Sequence, residues 1–230
     1  MIIRKAALSD VNQIIGFTKN TFQWGDYIPK VIHEWINDGT VYVAALNDKV
    51  VGLINMVILQ TGVAWLEGLR VHPDYRRRGI GRALTEYAIN EALRLGARYA
   101  MLMIAEWNDA SRRLAESLGF KEVLILHAGV ANPSRVNVLH GEEARGLVRE
   151  ALRRSNGYFC TTRVHWLCTR ASEDYVMANI NEVYLGDGIG LSEFSVGPPT
   201  VPSRVEVLST ENGNFHEYYG KYIVYEKALG

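Results

Sequence analysis

The stretch WLEGLRVHPDYRRRGIGR, residues 65–82, decides how this chain folds. Its first residues are apolar and predict a strand, and the arginines and glycines that follow predict the opening of a helix. The first N–H groups of a helix have no intrahelical partner, and the helix dipole adds partial positive charge there. Glycine also lets the backbone approach a ligand closely. The sequence therefore predicts a pyrophosphate-binding site where this helix begins.

Periodicity on either side of this stretch predicts an alternating fold. Residues 1–64 predict a strand, two helices and a hairpin of strands joined by a turn at Asn47-Asp48. The helix that opens at Ile80 is predicted to stop at Gly96, and a buried strand at 99–105, a helix at 108–118 and a strand at 120–126 follow. The predicted order is β, α, α, three antiparallel strands, α, β, α, β.

Charge and hydropathy argue against nucleic-acid-binding and membrane-spanning proteins. The 230 residues carry 25 basic and 25 acidic side chains, so a global polyanion-binding surface is disfavoured. Nucleic-acid binding through the arginine run is therefore the weakest alternative. We find no secretory leader and no run near the ~18 apolar residues of a membrane span. We expect a soluble, cytoplasmic protein with no membrane or nucleic-acid partner.

The cysteines give no sign of a metal site or a disulfide framework. Cys160 and Cys168 are the only two, and they form no CxxC pair or histidine-containing ligand pattern. We expect both to be reduced residues in or beside a strand, and we expect no metal.

The pattern Arg76-x-x-Gly79-x-Gly81 resembles the acyl-CoA pyrophosphate signature of the GNAT superfamily of N-acetyltransferases. The resemblance covers about residues 1–130 and implies an α/β (α+β) fold whose central, mostly antiparallel mixed sheet is flanked by helices. It implies acetyl-CoA as the acyl donor. The residues implied in donor binding are the backbone of Leu69, Arg70 and Val71, the pyrophosphate turn Arg76, Arg77, Arg78, Gly79, Ile80, Gly81 and Arg82, and the Asn108 and Ser111 side chains.

The chain departs from the frequent family pattern after Leu114. Ala115 stands where many members have a tyrosine general acid, so protonation of the departing thiolate has no assigned residue. The alternatives for Asn108 and Ser111 are helix capping and simple solvation.

Glu67 is the first candidate for the base that deprotonates an amine nucleophile. It lies among apolar neighbours on the strand before the donor-contacting residues, and partial burial would raise its pKa. Glu106, at the end of the next strand, is the second candidate. The alternative for each is a salt bridge or a surface carboxylate.

The segment between the first two helices supplies candidates for binding the acceptor. Aromatic rings there could stack on a cation, and Asp26 could pair with an ammonium, although core packing and helix capping are equally open. This segment and residues 67–71 also resemble the histidine N-acetyltransferase-like subgroup, which implies a small amine such as a free amino acid. The candidate substrate-binding residues are Trp24, Asp26, Tyr27, His33 and Trp35.

Residues 131–230 do not fit the core predicted for residues 1–130. We predict helices at 142–154 and 172–184, strands at 158–168, 205–208 and 222–225, and a loop at 186–190. This second domain is interpreted as an α+β module that completes the substrate site or mediates homodimerisation.

The first hypothesis for function is an acetyl-CoA-dependent N-acetyltransferase acting on a small primary amine by direct attack in a ternary complex. Two alternatives stay open: acetylation of a protein N-terminus or lysine, and a non-catalytic acyl-CoA-binding regulatory module.

Overall fold

The computed structural model describes residues 1–23, 25–163 and 165–230. These residues divide into two units, one formed by residues 1–100 with 228–230 and the other by residues 101–227.

The first unit is a four-stranded antiparallel sheet with three α-helices. The strands lie in the order β1-β2-β3-β4, and each neighbouring pair is antiparallel. Its elements are β1 (Ile2–Lys5), α1 (Val11–Thr18), α2 (Ile28–Asn37), β2 (Val41–Leu46), β3 (Lys49–Ile58), β4 (Val63–Val71) and α3 (Ile80–Arg94). This order is the one that the sequence predicts.

The predicted turn at Asn47-Asp48 is confirmed. Leu46 pairs with Lys49, so these two residues form the whole connection between β2 and β3. Their φ angles are 47° and 65°, the left-handed values that a two-residue hairpin turn requires and that asparagine and aspartate tolerate.

The helices lie on opposite faces of this sheet. Leu53 of β3 packs in a core cluster with Ile14 of α1 and Ile32 of α2. The neighbouring Gly52 faces α3, and a Cβ there would lie 3.0 Å from the Leu84 Cδ1 atom. Because adjacent strand residues point to opposite faces, α1 and α2 cover one face and α3 covers the other.

A β-bulge interrupts the pairing of β3 with β4. On one side of it Leu53 pairs with Arg70, and on the other Asn55 pairs with Glu67. Two residues of β4, at 68 and 69, therefore stand opposite the single residue 54 of β3. A bulge of this kind bends the strand and disrupts the hydrogen-bonded ladder locally.

Gly68 makes this bulge possible for two reasons. Its φ of 65° is left-handed, which costs glycine little and other residues more. A Cβ at this position would also lie 2.8 Å from the Trp35 Cζ3 atom and 3.1 Å from the Ile28 Cδ1 atom. Both the backbone conformation and the packing against α2 therefore require glycine.

The second unit contains an extended sheet, a separate hairpin and three helices. The sheet order is β5-β14-β6-β13-β12-β11-β10-β7, and β8 pairs with β9 in the hairpin. Among the described helices of the chain, none is long and apolar enough to cross a membrane. The elements are β5 (Tyr99–Ala105, which begins in the first unit), α4 (Asp109–Ser117), β6 (Lys121–Ala131), β7 (Asn137–Leu139), α5 (Gly141–Arg154), β8 (Tyr158–Thr161), β9 (Leu167–Arg170), α6 (Glu173–Asn179), β10 (Val183–Leu185), β11 (Ile189–Leu191), β12 (Phe194–Val196), β13 (Val205–Ser209) and β14 (Phe215–Ala228).

The last strand returns to pair with β6. β14 is antiparallel to β6 from the pair Phe215 and Ala131 to the pair Glu226 and Lys121. The predicted strand at 222–225 is thus the inner part of a strand of 14 residues. The predicted domain boundary at residue 130 falls within the second unit, and the separate role of residues 131–230 stays a prediction.

Three predictions for the second half of the chain are wrong in extent. The segment 158–168 is a hairpin of two strands, and the predicted helix 172–184 ends at Asn179. Ile180 is extended, with φ −116° and ψ 157°, and the apolar run after it forms β10. The predicted loop 186–190 contains the start of β11. Short helical and strand-like runs cannot be distinguished by periodicity alone. The predicted helix at 142–154 is confirmed.

The expectation that the cysteines are reduced is wrong. Cys160 and Cys168 lie directly opposite each other on β8 and β9 and form a disulfide. Their separation of eight residues did not reveal the pairing, because only the register of the hairpin puts the two side chains side by side.

Replacing Gly68 by alanine is expected to destabilise the first unit. The new methyl group must move Trp35, and the left-handed backbone adds strain, for a total of about 2 to 4 kcal/mol of unfolding free energy. Gly96→Ala is the matched control, because Gly96 also has a positive φ, 84°, but a Cβ there meets nothing within 4 Å. Urea unfolding measures both variants. Equal losses would contradict the packing argument.

The disulfide is expected to survive purification and to stabilise the hairpin. Thiol titration of the unreduced, denatured protein should detect no free thiol, and prior reduction should release both. Closing this short loop is worth about 2.5 kcal/mol by the loop-entropy relation, so the double variant Cys160→Ser/Cys168→Ser should lower unfolding free energy by about that amount. Detection of two free thiols before reduction would refute the pairing.

Candidate active site

The arginine-glycine turn forms the entrance to α3. Gly79 occupies the N-cap position with φ 76°, and Arg77 also has a left-handed φ, 62°. Ile80, only 2% exposed, anchors the first turn of the helix in the core. The predicted pyrophosphate residues therefore share one turn, and the first N–H groups of α3 point out of the helix there.

The arginine side chains at this turn are exposed but partly fixed. The Arg76 Nε atom donates to the Val71 carbonyl over 3.3 Å, and the Arg78 guanidinium lies 5.1 Å from the centre of the Tyr75 ring. Arg82 pairs with Glu86 one helical turn later at 3.4 Å. These exposed contacts are individually weak, so an anion of higher charge can replace or share them at little cost.

A carboxylate and an amide meet on the α1/α2 face of the sheet. The Asn55 Nδ2 atom donates to the Glu67 Oε1 atom over 3.0 Å, and the two residues pair directly across β3 and β4. Asn55 is completely buried, whereas Glu67 is half-buried. The predicted base is therefore held in one orientation beside the bulge.

Asp26 and Arg70 form a buried ion pair. The Arg70 Nε and Nη2 atoms donate to the two Asp26 oxygens over 2.7 Å and 3.1 Å, and the Ile28 N–H also donates to Asp26. The Asp26 side chain is 0% exposed and that of Arg70 16%. The guanidinium also lies 5.1 Å from the Phe22 ring centre and 5.5 Å from that of Tyr27.

This ion pair changes what Asp26 and Arg70 do. Both Asp26 oxygens are occupied, so the structure brings the carboxylate against Arg70 and not into an open position. Arg70, predicted only as a backbone contact, uses its side chain to fasten the segment before α2 to β4. Removing one partner would leave an uncompensated buried charge, which typically costs several kcal/mol.

Tyr27 lies beside the Asp26–Arg70 pair, and 43% of the residue surface is exposed. Burial raises the pKa of Tyr27, and the negative charges of Glu67 and Asp26 raise it further, against lowering by Arg70 and by a hydrogen bond from the Gly68 backbone. The phenol therefore stays protonated throughout the physiological pH range. Tyr27 can position a ligand as a neutral hydrogen-bonding group.

The other predicted substrate residues lie in different surroundings. Trp35 is 1% exposed in the core cluster beneath the bulge, where it meets the edge of Tyr27 at a ring distance of 6.0 Å. His33 is exposed on α2. Trp24 lies outside the described residues, so the prediction made for it stays a prediction.

The predicted residues of the second unit have identifiable structural partners. The Asn108 side chain caps α4 by accepting from the Ser111 N–H at 3.2 Å, and Ala115 is buried in that helix. Glu106 is exposed and lies 3.5 Å from Lys221. Capping was the alternative for Asn108, and a salt bridge or a surface carboxylate was the alternative for Glu106.

Sequence reasoning missed Asn55 and the Arg70 side chain. Asn55 is the one amide in the apolar run VVGLINMVIL, residues 50–59, and a buried amide requires a partner. The sequence therefore signals that Asn55 needs a partner. It does not identify Glu67 as that partner, because the bulge sets which residues of β3 and β4 lie opposite each other.

Comparison with known proteins identifies the first half of the chain. The model of the acetyltransferase (GNAT) family matches residues 10–120. Histidine N-acetyltransferase of Xenopus tropicalis is 36% identical over 87 residues, which are 36% of this chain and 27% of that protein. The ribosomal protein bS18-alanine N-acetyltransferase of Escherichia coli K12 is 42% identical over 72 residues, 31% of this chain and 47% of that protein. The chain thus spans less than half the length of both relatives.

A solved structure shares the fold over nearly the whole chain. A Thermoplasma acidophilum protein described as a candidate acetyltransferase aligns with a TM-score of 0.65 and 20% identity, covering 99% of this chain and 100% of that one. At this identity the likeness concerns the fold alone. The match to the family model, and not this structural likeness, assigns residues 10–120, which include the bulged strand and the arginine-glycine turn, to the acetyltransferase (GNAT) family.

Proposed function

We propose that this protein is an acetyl-CoA-dependent N-acetyltransferase that acts on the primary amine of a small molecule such as a free amino acid. The observation that carries the proposal is the course of one strand. β4 bears the half-buried Glu67, bulges at Gly68 and continues through Arg70 into the left-handed turn at Gly79 that opens α3. Neighbouring segments of one stretch of chain thereby supply the proposed base, the proposed binding strand for the pantetheine arm and the proposed phosphate site.

The donor is proposed to bind along this strand and turn. The N–H groups at the start of α3 and the exposed arginines take the pyrophosphate, because charge-assisted bonds to phosphate oxygens are strong. The backbone of Leu69, Arg70 and Val71 takes the pantetheine amides, and one of their N–H groups polarises the thioester carbonyl. Asn108, which caps α4, and Ser111 stay proposed contacts of the donor.

The reaction is a direct transfer between two bound substrates. An ammonium group first gives a proton to Glu67, and the neutral nitrogen attacks the thioester carbonyl carbon. The C–N bond forms, the C–S bond breaks, and the nitrogen loses its second proton as CoA departs. The products are the acetylated amine, CoA thiol and one proton, and holding both substrates in place supplies much of the rate.

No tyrosine is needed at residue 115 for this chemistry. A thiol has a pKa of about 8.5, so the thiolate is a stable leaving group near neutral pH. Ala115 therefore leaves the proposal intact, and the departing sulfur takes its proton from water or from the base.

The segment before α2 is proposed to select the acceptor. Tyr27 offers a neutral hydroxyl, and His33 offers an exposed imidazole on the following helix. Asp26 acts through Arg70, whose ion pair fixes this segment on the sheet. The similarity to a histidine N-acetyltransferase supports a small amine. The similarity to a protein alanine N-acetyltransferase favours a protein N-terminus as the second candidate.

Thiol release separates these candidates. Free amino acids, polyamines and short peptides with free N-termini are each incubated with acetyl-CoA, and CoA is detected with a thiol reagent. We expect free amino acids to give the fastest release. Faster release with peptides would favour the second candidate, and tight acetyl-CoA binding without any release would indicate a non-catalytic module.

Gly81→Glu is expected to weaken acetyl-CoA binding at least about 100-fold in calorimetry. The new carboxylate repels the pyrophosphate but suits the positive end of α3, so the helix should still form. Asn90→Glu adds the same charge at an exposed position of the same helix and should bind normally. If both variants bind acetyl-CoA like the wild type, the donor site lies elsewhere.

Glu67→Gln is expected to lower kcat about 100-fold or more while acetyl-CoA affinity stays unchanged. The amide cannot take a proton, so the rise of rate with pH that reports ionisation of the base should disappear. The pH-rate profiles of Glu67→Gln and Glu106→Gln are compared with the same amine. If the rise of rate with pH disappears only in Glu106→Gln, Glu106 is the base and Glu67 is not.

A further inference from the structure

Asn55 is an unusual residue for its place in the fold. It is 0% exposed in the middle of β3, where its neighbours Ile54 and Met56 are also buried. Its Nδ2 atom donates to Glu67, but its Oδ1 atom is buried and has no hydrogen-bond partner among the described residues. A buried acceptor left unpaired costs folding free energy, whereas an apolar side chain would cost none.

The position of Asn55 directs this acceptor toward the candidate site. Asn55 lies two residues from Leu53, which packs against α1 and α2, so both side chains point to that face. Cross-strand pairing puts Glu67 and Arg70 on the same face. The unpaired oxygen is therefore on the side of the sheet that carries the proposed base.

The hydrogen bond from Asn55 also suits the role of Glu67 as a base. An amide N–H that donates to a carboxylate favours the ionised form, which is the form that can accept a proton. Among the described residues, Tyr27 stays neutral under the influence of the Glu67 charge, and Arg70, on the same face of the sheet, is compensated by Asp26. Asn55 is a neutral donor that contacts the carboxylate directly.

We propose that Asn55 is a positioning residue that orients Glu67, and that its Oδ1 atom binds the hydrogen-bond donor whose proton Glu67 accepts. The donor is either the acceptor amine itself or a water that relays its proton. Two oxygens of different residues would then hold one donor, with the amide fixing its position and the carboxylate taking the proton. The inference rests on the proposed function.

Two variants separate the parts of this role. Asn55→Leu keeps the branching and the number of side-chain heavy atoms and removes both the donor and the acceptor. Asn55→Asp keeps an acceptor oxygen but replaces the donor by a second negative charge. Thr18→Val is the matched control, because Thr18 is equally buried in the first unit and its hydroxyl donates to the Ile14 carbonyl of the same helix, α1, over 2.8 Å.

The first readout needs no catalysis. The titration of the Glu67 carboxyl is followed by NMR in protein labelled at glutamate carboxyl carbons, with Glu67→Gln used to assign the signal. We expect the Glu67 pKa to rise by about one unit in Asn55→Leu, and by more in Asn55→Asp, because the ionised form loses its donor or gains a like charge. Thr18→Val should leave it unchanged.

The second readout is the pH dependence of kcat and KM for the acceptor. Because the base must be ionised, a higher pKa moves the acid limb of the profile to higher pH in both Asn55 variants. In Asn55→Leu, a higher KM for the amine indicates that Oδ1 binds the amine, and a lower kcat at constant KM indicates the relay water. We expect a loss of about 10-fold to 100-fold in kcat/KM.

The outcomes distinguish the two proposals. If no amine is acetylated but the Glu67 pKa responds to Asn55, the proposed function fails and the positioning of Glu67 stands. If Asn55→Leu does not fold, Asn55→Asp supplies both readouts. An unchanged Glu67 pKa and an unchanged kcat/KM in Asn55→Asp would overturn the inference and leave Asn55 a structural residue.

Discussion

The contact between Gly68 and Trp35 is the constraint on which the first unit depends. A side chain at 68 would lie 2.8 Å from the Trp35 ring, so the α2 helix can rest on β4 only where the strand has no Cβ. The same glycine adopts the left-handed φ that the bulge needs. One residue therefore sets both how α2 packs and how β4 continues beyond the bulge, because the extra residue shifts the register of everything that follows.

That register brings the polar groups together. Without the bulge, Glu67 and Arg70 would lie on opposite faces of the sheet, since they are three residues apart and strand side chains alternate. With it, both lie on the α1/α2 face, where Glu67 meets Asn55 and Arg70 meets Asp26. Loss of one partner from the buried Asp26–Arg70 pair would cost more stability than loss from the exposed Arg82–Glu86 pair. Water screens the exposed pair, and such pairs contribute little.

The sequence was sufficient for the order of elements up to residue 126 and for the arginine-glycine turn. Local signals are sufficient for those features. Asn47-Asp48 favours a two-residue turn whatever the rest of the chain does, and Gly79 adopts its left-handed φ because it has no side chain. The sequence alone did not predict which distant side chains pair with each other. Asp26 and Arg70 are 44 residues apart, and the pairing of Cys160 with Cys168 depends on the register of a hairpin. The predicted substrate contact of Trp35 carried a core alternative, and the structure places the ring in the core.

The central claim is that β4 beyond its bulge and the entrance of α3 form one acetyl-CoA site. Hydrogen–deuterium exchange of the protein with and without saturating acetyl-CoA tests it most directly. The account predicts slower exchange of the amides in 69–71 and in 77–82 together, because the pantetheine and the pyrophosphate would cover consecutive stretches of the same backbone. Bound acetyl-CoA that leaves exchange in both stretches unchanged would contradict it.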